Sequence, residues 1–210
     1  MTGHTPTTLV GFCLVDDGAC KDGARADNDV ATADEEGVSA DAGGGRAMST
    51  RSGDLEAIIG RLLSDKGLTL AIAESCTGGL IGHRITNVPG SSRYFRGSIT
   101  AYAYDVKESL LNVSPATLDE HGAVSAATAR QMAVGVRRVV GTDIGLSATG
   151  IAGPSGGTAE KPVGLVYIGL VADDGVWVES EVFAGDRLEN KASSAEVALS
   201  LLHRYLGGEL

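Results

Sequence analysis

Apolar residues recur at helix and strand spacings from Asp54 to the end of the chain. Between Asp54 and Lys66, apolar positions 55, 58, 59, 62 and 63 fall on one face of a helix. The wholly apolar run Leu68–Ala73 is too short for a typical helix and predicts a buried strand. The same rules predict the other elements: helices over Thr77–Val88, Asp105–Leu111, Pro115–His121, Ser125–Val140 and Asp186–Leu206, and strands over Gly97–Ala103, Asp143–Ser147, Val163–Ala172 and Val176–Phe183.

Strands that alternate with helices are typical of an α/β layered fold. The last two predicted strands flank Asp173-Asp174-Gly175, a turn sequence that predicts a β-hairpin. A hairpin combined with strands that are joined through helices indicates a mixed sheet. We therefore expect an α/β fold with a mixed sheet.

Residues 1–47 differ in composition from the rest of the chain. They carry nine acidic and three basic residues, which accounts for −6 of the net charge of −10. Because they also lack a sustained helical or strand period, they are expected to be a disordered acidic extension, with 48–210 as the folded domain. Met48 opens the patterned region, so the extension is either the product of an upstream start codon or a genuine acidic tail.

The overall composition excludes several classes of protein. The chain has 27 acidic against 17 basic residues, whereas nucleic-acid binding normally needs a basic face. No run of ~18 apolar residues predicts a membrane span, and no secretory signal is visible. The three cysteines and four histidines show neither a disulfide framework nor the spacing of a structural zinc site. We expect a cytoplasmic protein that binds neither nucleic acid nor membrane, and no GxGxxG or Walker motif indicates a nucleotide cofactor. A metal held mainly by carboxylates and water stays an open alternative.

The segment AESCTGG lies between a predicted buried strand and a predicted helix. Such a turn places side chains at the carboxyl edge of a sheet, where open α/β folds bind ligands. Ser75 could act there as a nucleophile, with backbone N–H groups of the turn stabilising the oxyanion. The alternative is that Ser75 or Thr77 only caps the helix. Cys76 is a second possible nucleophile, although a small buried thiol is the more ordinary role.

Two further segments contain residues that could complete such a site. Lys107 follows a predicted strand and could serve as the base for a serine if burial lowers its pKa, while Tyr102 could hydrogen-bond it or relay a proton. The alternative is a surface lysine that pairs with Glu108 or Asp105. The loop TGIAGPSGG begins at Thr149, at the same predicted sheet edge, and its amides could hold a phosphate or carboxylate unless it is a plain connection.

Cations near these loops are candidate anion contacts. Lys161 precedes the strand that follows the glycine-rich loop, and Arg187 follows the predicted helix cap Asp186. Arg187 could be structural or could reach a phosphate.

Six motifs, in order, give the chain a specific resemblance to a known family. They are AESCTGGLIGHRIT, VPGSSRYFRGSITAYAYDVKESLLNV, HGAVS, TGIAGPSGG, KPVGLVYIGL and FAGDR. Together they resemble the carboxyl-terminal domain of the competence-damage-inducible protein CinA, a domain that also occurs alone as a nicotinamide-nucleotide amidase. The resemblance covers roughly residues 54–206 and leaves residues 1–47 unmatched.

The resemblance implies a three-layer α/β/α fold and hydrolysis of nicotinamide mononucleotide to nicotinate mononucleotide and ammonia, in pyridine nucleotide recycling. It implies a Ser–Lys amidohydrolase without a required metal, in a homodimer or higher homo-oligomer. Carried over by motif, Ser75 is the nucleophile, Lys107 the base, and Tyr102 and Thr149 assist them. Substrate contacts are expected from these loops and cations: Glu74, Cys76, Thr77, Gly78, Gly79, Gly150, Ile151, Ala152, Gly153, Lys161 and Arg187.

The chain also departs from the family pattern at two places. Ala103 and Tyr104 replace a Ser-Asn pair after Tyr102, and Asn190-Lys191 replace a Val-Arg pair after the FAGDR motif. An Arg-to-Lys change is not conservative at a bidentate site. Two alternatives therefore stay open: a non-catalytic CinA-type module that binds a nucleotide or a protein in competence or DNA-damage responses, and a hydrolase of another small amide.

Overall fold

The computed structural model describes residues 52–210; the predicted extension and the candidate start at Met48 lie outside them. The described elements are α1 Ser52–Lys66, β1 Leu70–Glu74, α2 Leu80–Thr86, a short 3-10 turn Ser91–Arg93, β2 Phe95–Thr100, α3 Tyr104–Leu111, α4 Pro115–His121, α5 Ala126–Val140, β3 Ile144–Gly150, β4 Leu165–Ala172, β5 Gly175–Val182 and α6 Arg187–Gly207. Every element that the sequence pattern predicted is present, with shifts at the ends.

The five strands form one mixed sheet in the order β2-β1-β3-β4-β5. Strands β2, β1 and β3 are parallel, whereas β4 and β5 pair antiparallel. Glu74, the last residue of β1, pairs with Thr100 on β2 and with Ala148 on β3. The three parallel strands therefore end at the same edge of the sheet, and the loops that follow β1, β2 and β3 start from neighbouring points.

Helices cover both faces of the sheet, as the alternating side chains of β1 show. Leu70 and Ile72 are buried in a core with residues of α1 and α6. Ala71 and Ala73 point into a second core, which contains Met132 of α5. This arrangement confirms the expected three-layer α/β/α architecture.

Helix α5 packs with its backbone close to the sheet. A Cβ atom at Gly145 of β3 would lie 2.2 Å from the carbonyl oxygen of Ala133, and one at Gly169 of β4 would lie 2.8 Å from that of Ala129. Ser147 of β3, which pairs with Gly169, donates a 2.7 Å hydrogen bond to the Ala129 carbonyl. The absence of side chains at the two glycines permits this close approach, which holds β3 and its loop against α5.

The largest difference from the predicted elements is at the start of α2. The helix begins at Leu80 rather than Thr77, because Gly78 and Gly79 adopt left-handed φ angles of 63° and 96°. No side chain at the N-cap position caps this helix. The alternative that Ser75 or Thr77 only caps the helix is therefore wrong, and residues 75–79 form a separate turn.

Two other predicted features are confirmed at the ends of helices. Ser125 caps α5 by accepting a hydrogen bond from the Thr128 amide. Asp186 caps α6 within a capping box completed by Glu189. No helix among residues 52–210 is long and apolar enough to cross a membrane.

Candidate active site

Residues from three separate segments line a small cavity at the carboxyl edge of the parallel strands. Ser75 follows β1, Lys107 lies on α3 after β2, and Thr149 lies near the end of β3. The cavity has a volume of about 180 Å³. Its lining consists of Ser75, Cys76, Tyr102, Lys107, Ala123, Val124, Thr149, Gly150, Ala152 and Arg187. The fold thus brings together all four residues that the sequence singled out as catalytic.

Lys107 is fully buried and lies against Ser75. Its Nζ is 3.0 Å from Ser75 Oγ, 2.7 Å from the carbonyl oxygen of Ala101 and 3.1 Å from that of Tyr102. No carboxylate in the described part of the chain pairs with this lysine. The alternative of a surface lysine that pairs with Glu108 or Asp105 is therefore wrong.

Burial changes the protonation of Lys107. Loss of hydration lowers the pKa of Lys107 from its ordinary value of 10.5 to about 8. A neutral amine has two N–H bonds and one lone pair. The carbonyls of Ala101 and Tyr102 can accept hydrogen bonds from the two N–H groups. The lone pair is then left to accept the proton of Ser75 Oγ. The geometry therefore suits lysine as a general base for the serine.

Glu74 occupies the amides at the start of α2. Its buried carboxylate accepts hydrogen bonds from the N–H groups of Gly79 at 2.9 Å, Ile81 at 3.1 Å and Gly82 at 2.8 Å. A substrate anion cannot use donors that are already paired. The structure therefore does not bring Glu74 or Gly79 into contact with the cavity as substrate-binding residues.

Two donors remain in the turn that carries Ser75. The Ser75 amide donates to the Ala148 carbonyl and the Gly78 amide to the Ser75 carbonyl. The N–H groups of Cys76 and Thr77 lie beside the Cys76 thiol, where burial raises the pKa of the thiol in spite of them. Among the five turn residues predicted from the sequence to contact substrate, Cys76 is the one that lines the cavity.

Cys76 is a poor candidate for the nucleophile. It is a buried free thiol, and burial raises its pKa from 9.0 to about 11. The thiolate, which is the nucleophilic form, is therefore scarce at neutral pH. Of the two adjacent candidates, Ser75 is the one that contacts a base.

Tyr102 contributes to the site through two different groups. Its carbonyl oxygen holds Lys107, while the residue as a whole is 60% exposed and its phenol oxygen accepts a 3.1 Å hydrogen bond from Arg187. The predicted contact between the phenol and Lys107 is not formed. Arg187 also donates to the Gly153 carbonyl at 2.6 Å, so its guanidinium is fixed at the cavity without a carboxylate partner in the described chain.

Thr149 connects the third loop to the segment before α5. Its hydroxyl is buried and donates a 2.7 Å hydrogen bond to the carbonyl of Ala123. Ala123 and Val124 line the cavity beside it. Reasoning on single residues missed both, because neither side chain carries a reactive group, and the HGAVS motif was the only signal for them.

The glycine-rich loop contributes two of its four predicted contact residues to the cavity lining. Gly150 and Ala152 line the cavity, whereas the main chain of Ile151 pairs with Leu165 and Gly164. Gly153 acts through the carbonyl that holds Arg187. These contacts give the loop a part in the shape of the cavity and in the position of Arg187.

Two residues near the site are placed differently: Lys161 lies outside the cavity lining, and Asn190 fixes two segments that border it. The ammonium of Lys161 donates to the His121 carbonyl and lies outside the cavity lining. Buried Asn190 donates to the carbonyls of Ala152 and Gly185 and accepts from the Gly185 amide. Asn190 therefore ties the glycine-rich loop to the start of α6, which carries Arg187, and sequence reasoning had noted it only as a departure.

Metal-binding side chains are not clustered in the described part of the chain. No group of three or more His, Cys, Asp or Glu side chains between residues 52 and 210 lies close enough to hold a metal ion. The chemistry that the cavity offers is that of a hydroxyl next to an amine.

Comparisons with known proteins agree with this architecture. A protein of Halothermothrix orenii named as competence-damage inducible is 56% identical over 149 residues, which is 70% of this chain and 36% of that protein. A CinA-like protein of Geobacter sulfurreducens is 48% identical over 185 residues, which is 84% of this chain and 45% of that protein. The chain thus spans less than half the length of these curated relatives.

Solved structures give the same result for the fold. The competence/damage inducible protein CihA from Agrobacterium tumefaciens is 39% identical with a TM-score of 0.69, over 76% of this chain and 99% of that one. A CinA superfamily protein from Klebsiella pneumoniae is 27% identical with a TM-score of 0.73, over 76% of this chain and 99% of that one. The names of these proteins describe induction and not a reaction.

The model of the CinA C-terminal domain matches residues 52–206, which include every residue of the cavity. The described part of the chain and the family model therefore coincide almost completely. By this match, and by relatives of close to or above half identity, the chain belongs to the CinA C-terminal domain family.

Proposed function

We propose that this protein is an amidohydrolase that converts nicotinamide mononucleotide to nicotinate mononucleotide and ammonia. The observation that carries the proposal is the 3.0 Å contact between Lys107 Nζ and Ser75 Oγ inside a small cavity. A buried lysine whose pKa is lowered to about 8 can take the proton of a serine without a histidine. The substrate itself is taken from the family resemblance.

The reaction follows from the contacts of the two residues. Ser75 Oγ attacks the carboxamide carbon while its proton passes to Lys107, and a tetrahedral oxyanion forms on the former carbonyl oxygen. Lys107 then gives the proton to the departing nitrogen, and ammonia leaves an acylated Ser75. Water attacks the acyl carbon with Lys107 again taking a proton, and the return of that proton to Ser75 Oγ releases nicotinate mononucleotide.

The size of the cavity suggests where the rest of the nucleotide lies. A volume of about 180 Å³ is below the roughly 300–1,000 Å³ usual for ligand pockets, so only the reacting ring would fit. A neighbouring cavity of about 510 Å³ shares Ala152 and Arg187 with it. Arg187 thus stands between the two cavities, where the guanidinium can bind the phosphate.

Arg187→Ala is expected to raise KM for nicotinamide mononucleotide about 10- to 100-fold and to change kcat much less. The reason is that a charge-assisted hydrogen bond to the phosphate contributes about 1.5–3 kcal/mol to binding, while Arg187 does not contact Lys107 or Ser75 Oγ. Steady-state kinetics of both parameters measures this split. The matched substrate is nicotinamide riboside, which lacks the phosphate and should lose little when Arg187 is replaced. An equal loss for both substrates would contradict a phosphate contact.

The full chain is expected to release ammonia from nicotinamide mononucleotide and to yield an equal amount of nicotinate mononucleotide. A coupled ammonia assay with chromatography of the product measures both. Nicotinamide, glutamine and asparagine serve as a panel of other amides. Ammonia from a different amide would favour a hydrolase with another substrate. Binding of the nucleotide without any ammonia release would favour the non-catalytic module.

A further inference from the structure

Glu74 is a fully buried carboxylate with no cationic partner among residues 52–210. An isolated buried charge is costly unless hydrogen bonds replace its water. Here the replacement consists of three backbone N–H groups, those of Gly79, Ile81 and Gly82. The mechanism above does not use this carboxylate, yet Glu74 directly precedes the proposed nucleophile.

The contacts of Glu74 close the turn that carries Ser75 at both ends. On the strand side, the Glu74 carbonyl accepts from the Ala101 amide at 2.8 Å, and the Ser75 amide donates to the Ala148 carbonyl at 2.9 Å. On the helix side, the Glu74 carboxylate holds Gly79 at 2.9 Å. Residues 75–79 are therefore a loop that the sheet fixes at its first residue and the Glu74 side chain fixes at its last.

This closure pairs most of the backbone amides in the turn and at the start of α2. The amides of Gly79, Ile81 and Gly82 are occupied by Glu74, and that of Gly78 by the Ser75 carbonyl. The amides of Cys76 and Thr77 have no acceptor outside the turn in the described chain. Glu74 therefore fixes the helix end of the turn, and with it the position of Ser75 Oγ, which lies 3.0 Å from Lys107 Nζ.

A glutamine cannot reproduce the contacts of Glu74. Three N–H groups converge on two carboxylate oxygens, Oε2 with Gly79 and Ile81 and Oε1 with Gly82. Glutamine has one oxygen and one NH₂ group, and NH₂ is only a donor. At least one backbone N–H would then face another donor, and the start of α2 would move.

We propose that Glu74 is a positioning residue for the hydrolytic reaction: it holds the Ser75 turn so that Ser75 Oγ faces Lys107 Nζ. This inference rests on the proposed function. Glu74 acts through the turn and does not itself contact substrate.

The test uses the full chain and its Glu74→Gln variant with pyridine-3-boronic acid as the probe. Ser75 Oγ forms a bond to the trigonal boron while its proton passes to Lys107, and the resulting tetrahedral boronate resembles the reaction intermediate. Boron NMR detects the change from trigonal to tetrahedral boron, and Ser75→Ala shows which signal depends on the serine. Titration calorimetry measures affinities for the boronic acid and for nicotinate mononucleotide.

Glu74→Gln is expected to lower kcat and the affinity for the boronic acid together, by about 10²-fold. KM and the affinity for nicotinate mononucleotide should stay within about threefold, since ground-state binding does not need Ser75 Oγ to be aligned with Lys107. Gly82→Ala is a second variant that keeps the carboxylate. Its Cβ would lie 2.8 Å from Ser98 Oγ and 3.4 Å from Glu74 Oε1, so it should produce a smaller loss in the same two quantities.

Glu56→Gln is the matched control, because Glu56 is the other buried glutamate of the described chain and pairs with Arg84 in α2. It should lower the thermal stability without separating boronate affinity from product affinity. Unchanged kcat and boronate affinity in Glu74→Gln would overturn the inference, as would an equal loss of product affinity. A parent chain that forms the serine boronate but releases no ammonia would refute the proposed function alone, and the affinity ratio would still decide the role of Glu74.

Discussion

Lys107→Met and Lys107→Arg are each expected to lower kcat for amide hydrolysis by about 10³-fold or more. Methionine has a similar length but no proton acceptor. Arginine keeps the positive charge, but its guanidinium does not lose a proton in proteins. The pair of variants therefore separates a base from a mere cation, and steady-state ammonia release measures both.

The dependence of the parent enzyme on pH gives an independent measure of the same group. Only the neutral amine accepts the Ser75 proton, and burial lowers the pKa of Lys107 to about 8. Below that value kcat/KM should rise about tenfold for each unit of pH, and above it the rate should level off. A group that must be protonated would give the opposite profile, in which kcat/KM falls as the pH rises above its pKa.

Controls for these variants are circular dichroism and thermal unfolding, because Lys107→Met leaves the carbonyls of Ala101 and Tyr102 without their partner. An unpartnered buried acceptor costs about 1–3 kcal/mol, which a folded domain can tolerate. Activity of Lys107→Arg within tenfold of the parent, or a flat profile from about pH 6 to about pH 9, would contradict lysine as the base.

Ser75→Ala is expected to lower kcat by about 10³-fold or more, since it removes the atom that forms the acyl intermediate. Its fold should be kept, because Lys107 Nζ is the group that the hydroxyl contacts. Binding of nicotinate mononucleotide should also be kept, and titration calorimetry measures it. An acyl adduct of the parent, trapped at low pH and located by mass spectrometry, should carry its added mass on the peptide that contains Ser75.

Cys76→Ala is the comparison that distinguishes the two neighbouring nucleophiles. The thiol has a raised pKa of about 11 and should not form the adduct, so this variant is expected to keep its acylation and to lose no more than about tenfold in rate. Full activity in Ser75→Ala together with an inactive Cys76→Ala would assign the reaction to the cysteine instead.

The order of the elements and the mixed sheet could be predicted from the sequence because hydrophobic period and turn residues are local signals. The cap of α5 at Ser125 and that of α6 at Asp186 are of this kind. The meeting of Ser75 and Lys107 was predicted from motifs of the family. Local spacing favoured a surface lysine, since 32 residues separate the two and only the parallel pairing of β1 with β2 brings them together.

Two charged side chains lie differently from what the sequence predicts, and for the same physical reason. Glu74 and Lys161 were expected to contact substrate because both are charged and lie in loops next to the site. Each instead satisfies main-chain groups, Glu74 three amides and Lys161 the His121 carbonyl. Whether a charge faces a cavity or a backbone depends on the path of distant segments, which local sequence does not specify.

Besides Ser75 Oγ, Lys107 Nζ contacts two carbonyl oxygens, those of Ala101 and Tyr102. Every amino acid has such an oxygen, so mutation of these two side chains need not remove the contacts during evolution, provided that the chain keeps its course there. A designer who wished to transfer this serine–lysine pair to another scaffold would accordingly gain little by copying side chains at these positions. The feature to reproduce is the trajectory of the main chain between the end of β2 and the first turn of α3.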